Sequence, residues 1–142
     1  MVCLAGVSAA IGVKAADREA TLTAALNVGV HAWTPTMLGA VDPELFELAL
    51  GAATCAVRSG AVTDPSTLAI IDYSKPSTAK RLWVFDLRSR ALVYEELVAH
   101  GQGSGENWAT RFSNEPDTHR SSIGLFVTED TYVGRNGYSL RM

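Results

Sequence analysis

At 142 residues the chain is long enough for one domain with one modest hydrophobic core. Its 47% hydrophobic and 19% charged residues are those of an ordinary globular protein, which excludes disordered and collagen-like classes. A net charge of -3, with twelve Lys and Arg scattered along the chain, gives no basic stripe, so no nucleic-acid partner is expected.

The chain opens with an apolar run from Val2 to Val13, followed by the small-residue site Val13-Lys14-Ala15. This resembles a secretory h-region, but no positive n-region precedes it. Residues 1–16 are therefore either the end of a leader, which makes the protein exported, or an Ala-rich helix; nothing is long enough to span a membrane. From Asp17 to Ala32, Leu22, Ala25, Leu26 and Val30 mark a short amphipathic helix ending near Trp33-Thr34-Pro35. A second helix starts at Asp42 as N-cap, with Pro43 at the first helical position and Glu44 in the first turn, and closes at Gly60 after Arg58. Along it Leu45, Leu48, Ala49, Ala52, Cys55 and Ala56 recur at helical spacing, so Cys55 is expected to be a buried structural thiol. The two cysteines, Cys3 and Cys55, fit neither a disulfide framework nor a zinc or CxxC motif.

After Asp64-Pro65 the period changes to two. Leu68 to Asp72 is an apolar strand, and Arg81 to Leu87 places Leu82, Val84 and Asp86 on one face and Trp83, Phe85 and Leu87 on the other. ALVYEELVAH follows after Arg88-Ser89-Arg90, which predicts an antiparallel hairpin. SSIGLFVT and GYSLRM are further strand candidates, with Asn-Gly turn chemistry in Val133 to Gly137. The expected class is α+β: a helical segment over residues 17–62, then a mainly antiparallel sheet over 63–142, forming one structural unit.

Between the last two strand groups lies VAHGQGSGENWATRFSNEPDTHRSSIGLF, residues Val98 to Phe126. A dinucleotide loop must open a helix, and ENWATRFSNEPD has no helical period. Ser104 sits between glycines without the spacing of a nucleophile elbow. His100, Glu115, Asp117 and His119 lack the spacing of a known metal site, so no metal or other cofactor is expected. His100, at a strand end, reads as a hydrogen-bonded structural residue, and His31 and His119 as surface residues.

Taken in order, Ile71-Asp72-Tyr73-Ser74, Arg81 to Leu87, Val98-Ala99-His100-Gly101, Ser104-Gly105, Phe112-Ser113-Asn114, Ser121 to Phe126 and Gly137 to Arg141 resemble the murein L,D-transpeptidase catalytic-domain family. The likeness runs from Asp42 to the end of the chain. It implies an exported enzyme of the periplasm or cell envelope that acts on peptidoglycan. Such an enzyme cuts a tetrapeptide stem, holds the acyl group as a cysteine thioester and passes it to an acceptor amine. Family members carry a histidine and, further on, a Ser-x-Gly-Cys element, and neither occurs here after the segment matching GYSLRM. The resemblance thus implies the front half of the domain, inactive as it stands, or a noncatalytic peptidoglycan-binding envelope module. It also implies that the glycine- and serine-rich loop walls the donor site. Trp108, Arg111, Asn114, Ser121, Ser122 and Gly124 are the candidate stem-peptide contacts, and His100, Gly101, Ser104 and Gly105 form a structural motif. An incomplete sheet would leave Tyr138 to Met142 as an unpaired, sticky edge. A fold that pairs Arg81 to Val98 in another way would favour an unrelated α+β interaction domain.

Overall fold

A computed structural model describes residues 32–63, 65–135 and 137–140. The leader and the Asp17 to Ala32 helix expected from sequence lie outside the described residues but for Ala32. Among the described residues, no helix is long and apolar enough to cross a membrane.

Two helices lie against the sheet. Helix α1 is a single turn, Pro35–Leu38, and α2 spans Pro43–Arg58. The start of α2 is set locally. The Asp42 carboxylate accepts from the Glu44 and Leu45 amides at 2.8 and 3.2 Å, Pro43 supplies a preset φ, and Ser59 donates back to the Cys55 carbonyl at the other end.

The buried face of α2 is Phe46, Ala49, Leu50, Ala53 and Ala56. This corrects the expected stripe: Leu48 and Cys55 are exposed, and the thiol points away from the core. The helix is apolar around most of its circumference, so two adjacent stripes satisfy the same spacing. The stripe that buries the largest side chain prevails, because full burial of a Phe is worth about 1.5–3 kcal/mol. Phe46 packs edge-on against Trp33 and Phe85, with ring centroids 4.9 Å away in each case, and Trp33 meets Phe85 at 5.7 Å. This triangle joins helix layer to sheet.

The sheet contains β1 (Thr67–Ile71), β2 (Leu82–Asp86) and β3 (Ala91–Glu96), in that order and antiparallel throughout. Its class is α+β, and the β2–β3 hairpin pairs as the sequence predicts. Trp83, Phe85 and Leu87 face inward, with Leu82, Val84 and Asp86 on the half-buried side. Both turn amides, Arg88 and Ser89, donate to the Asp86 carboxylate at 2.8 Å. The bond from the Ser89 backbone does most to hold the Asp86 pKa below the ordinary aspartate value; desolvation opposes it, and the Ser89 side chain and Arg88 add to the lowering. Opposite Val84 and Phe85 the register shifts, leaving Val93 as the extra residue of a bulge in β3.

Two strand expectations change. Residues 121–128 form no ladder; the Ile123 amide and carbonyl are taken by the Asn114 side chain, while Leu125 and Val127 pack against Ala56 and Val62. The apolar alternation there serves packing rather than pairing. Strand β5 (Gly137–Leu140) pairs with β4 (Thr131–Gly134), so Tyr138 to Leu140 has a partner that precedes it in sequence. That small hairpin still shows Val133 and Tyr138 to solvent, at 82% and 78%.

Candidate functional site

The loop between β3 and β4 is fixed by a lattice of local hydrogen bonds, and its anchor is Arg81. Position 81 shares the inward parity of Trp83, Phe85 and Leu87, so its side chain enters the protein and is 0% exposed. Its Nε and Nη2 donate to the Val98 carbonyl at 3.1 and 2.8 Å, and Nη1 donates to the Lys75 carbonyl at 2.8 Å. Nη2 also meets His100 Nδ1 at 2.8 Å, and the guanidinium lies over the Tyr73 ring at 5.1 Å. Two chain segments, 73–75 and 98–100, therefore converge on one side chain.

The glycines then explain themselves. Gly101, Gly103 and Gly105 alternate along the chain, and each admits another backbone where a Cβ would clash. A Cβ on Gly101 would stand 2.5 Å from the His119 carbonyl oxygen, and one on Gly103 would stand 2.8 Å from that of Thr118. Gly105, at φ 150°, lies against the Trp108 carbonyl. The amides of this stretch are already bonded: Gly101 donates to Ser121 Oγ (2.9 Å), Gly103 to the His119 carbonyl (2.7 Å) and Ser104 to the Gly101 carbonyl (2.8 Å). A phosphate-binding loop needs such amides unbonded and facing a ligand.

Ser104 is the hub of the loop. It is fully buried in a short 3₁₀ turn, Gln102–Ser104. Its Oγ accepts from the Ser121 amide at 2.7 Å, and its carbonyl accepts from Thr110 and Arg111 at 2.9 and 3.1 Å. A buried hydroxyl so engaged is scaffold rather than nucleophile. Ser121 is engaged through its Oγ, Ser122 Oγ donates to the Ser113 carbonyl at 3.1 Å, and Asn114 clamps Ile123 in both directions at 3.1 and 3.0 Å. Gly124, at φ 147°, continues the return path, with only the Phe126 ring, at 3.9 Å, within reach of a Cβ.

Of the candidate contacts, the structure leaves two side chains projecting from this lattice. Trp108 is 51% exposed, and Arg111 is exposed while its amide is held by Ser104. His119 is exposed on the return side of the loop at φ 53°. Among the described residues, no group of three or more His, Cys, Asp or Glu could hold a metal ion.

Sequence reasoning named Tyr73 and Arg81 only within family-like segments, without a role at the loop, and did not single out Asn107. Asn107 ties the β1–β2 connection to the loop: its carbonyl accepts from the Ser77 amide at 2.8 Å, and its Oδ1 accepts from the Ser77 and Thr78 hydroxyls at 3.1 and 3.3 Å. Tyr73 packs on Phe112 at 5.7 Å. The available signal was parity: a cation at an inward position of an otherwise apolar strand face needs buried acceptors.

The fold and loop define an α+β domain whose longest connection is rigidly bonded to itself and displays an indole and a guanidinium. A model of the L,D-transpeptidase catalytic domain matches residues 38–142, and the chain belongs to that family, whose substrate is peptidoglycan. No curated protein and no solved structure matches the chain.

Proposed function

We propose that residues 98–126 form the donor-side wall of a peptidoglycan L,D-transpeptidase site, with Trp108 and Arg111 as the contacts to the stem peptide. The observation that supports this is the division of labour within the loop. Nearly every polar group of 100–123 described above is bonded inward, while the indole and the guanidinium project from a fixed base. An aromatic face and a planar cation suit a peptide rich in amides and carboxylates. Asn114, Ser121, Ser122 and Gly124 then act by shaping the wall.

The 142-residue polypeptide assayed alone is a binder without turnover. It holds two cysteines, Cys3 and Cys55, and Cys55 lies exposed on the outer face of α2, away from the core that the loop adjoins. Thioester chemistry needs a thiol, a proton-handling group and oxyanion donors gathered at one carbonyl. Export to the cell envelope accompanies this role.

Co-sedimentation with insoluble peptidoglycan, together with mass analysis of the muropeptides after incubation, tests the reading. The expected result is retention in the pellet, lost in Trp108→Ala and Arg111→Ala, with unchanged muropeptide masses. Failure of the unsubstituted protein to sediment would sink the wall assignment, and new cross-linked masses would sink the absence of turnover.

A further inference from the structure

We propose that Arg81 is a positioning residue: it fixes His100 as the neutral Nε2–H tautomer, and through His100 it fixes the Gly105 carbonyl and the loop that carries Trp108 and Arg111. The link to stem-peptide binding rests on the function proposed above; the link from Arg81 to the loop rests on geometry alone.

A guanidinium has only donors. The 2.8 Å approach of Arg81 Nη2 to His100 Nδ1 therefore requires a bare lone pair on Nδ1. The ring proton then lies on Nε2, where the Gly105 carbonyl accepts it at 3.3 Å. Both ring nitrogens are thereby assigned by their partners, and protonating Nδ1 would set a donor against a donor. Gly105 ends the turn that begins at Gln102, and the Ser104 carbonyl beside it holds the Thr110 and Arg111 amides. The segment bearing Trp108 is thus closed at both ends by groups in line with His100.

The partners of Arg81 among the described residues are uncharged: two carbonyls, an imidazole and a tyrosine ring. A buried cation without a carboxylate is an expensive way to stabilise a core. What the arrangement provides is a rigid fork that holds two backbone carbonyls, Lys75 and Val98, and two rings, Tyr73 and His100, at set angles. Lysine cannot reproduce it, having a single point of charge on a flexible stem.

The test is long-range nitrogen–proton NMR of histidine-labelled protein, combined with amide exchange and titration of a soluble muropeptide bearing a tetrapeptide stem. The unsubstituted protein shows His100 with the proton on Nε2; a proton on Nδ1 overturns the proposal without any variant. In Arg81→Lys the single tautomer is lost, and exchange protection of Thr110 and Arg111 falls by about tenfold. An unchanged tautomer with unchanged protection overturns it. His100→Asn keeps an acceptor for Arg81 while removing the donor to Gly105. It loses protection at Thr110 and Arg111 while keeping a cooperative melt, so the proposal stays open to refutation even where Arg81→Lys does not fold. Trp108→Ala weakens muropeptide binding and leaves the His100 tautomer untouched. If muropeptide fails to bind the unsubstituted protein, the stem-peptide reading falls, and the Arg81–His100 link is decided by the spectra.

Discussion

The β3–β4 loop and the β4–β5 hairpin are neighbours in sequence and opposites in construction. The loop lacks repeating secondary structure beyond one 3₁₀ turn, yet its carbonyls, hydroxyls and amides are bonded to one another across spans of up to twenty residues. The hairpin has a regular ladder and a Tyr138–Thr131 hydroxyl bond at 2.9 Å, but its large apolar side chains lie in solvent. Regular secondary structure and local rigidity are therefore separate properties. An irregular segment becomes rigid when side chains take over the role of a ladder partner, and a regular hairpin without a buried face stays marginal.

Three variants probe that contrast and the frame around it. The largest effect is expected at Gly105: Gly105→Ala forces a Cβ onto the Trp108 carbonyl at a φ that L-residues rarely adopt, and should cost about 3 kcal/mol. Urea unfolding of the variant measures it, and a cost under about 1 kcal/mol would mean that the loop yields. A smaller, pH-dependent effect belongs to the turn between β2 and β3. The Asp86 pKa is lowered on folding, so its contribution is fully present above its unfolded value of about 3.9 and is lost as pH falls through the folded value. Melts of Asp86→Asn between pH 7 and pH 2, as rough limits, should converge with those of the unsubstituted protein at the acid end. The smallest effect is expected for Val133→Thr with Tyr138→Thr, which should change stability by no more than about 0.5 kcal/mol. A greater loss would show that the hairpin face is covered.

Much of the frame was legible because its signals are local. Asp42, Pro43 and Gly60 specify the limits of α2 by capping chemistry that acts within one turn, and the alternation from Arg81 to Leu87 sorts the faces of β2 correctly. The face of α2 was not legible. Which apolar stripe is buried depends on Trp33 and Phe85, and neither is on the helix. Ser121 to Thr128 misled for a related reason, since alternating apolar residues pack equally well with or without a ladder. In the loop, His100 was rightly read as hydrogen-bonded. Its partner Arg81 was hidden because contacts nineteen residues apart leave no mark on either segment beyond the parity of a single cation. The glycines of GQGSG imitated a phosphate motif because close backbone approach is the shared requirement, whether the neighbour is a ligand or, as here, residues 118–121 and Trp108.

The three tryptophans occupy three different media. Trp33 lies in the aromatic triangle, and Trp83 is wholly buried, with the Lys75 ammonium 4.6 Å above its ring and its indole N–H without a partner among the described residues. Trp108 stands half in water on the loop. The molecule therefore carries two internal optical channels without any added dye. Emission from Trp33 and Trp83 sits toward the blue and out of reach of iodide, and reports the core. Emission from Trp108 sits toward the red and is open to the quencher, so shielding of that component alone by an added compound signals occupancy of the loop while the fold remains undisturbed.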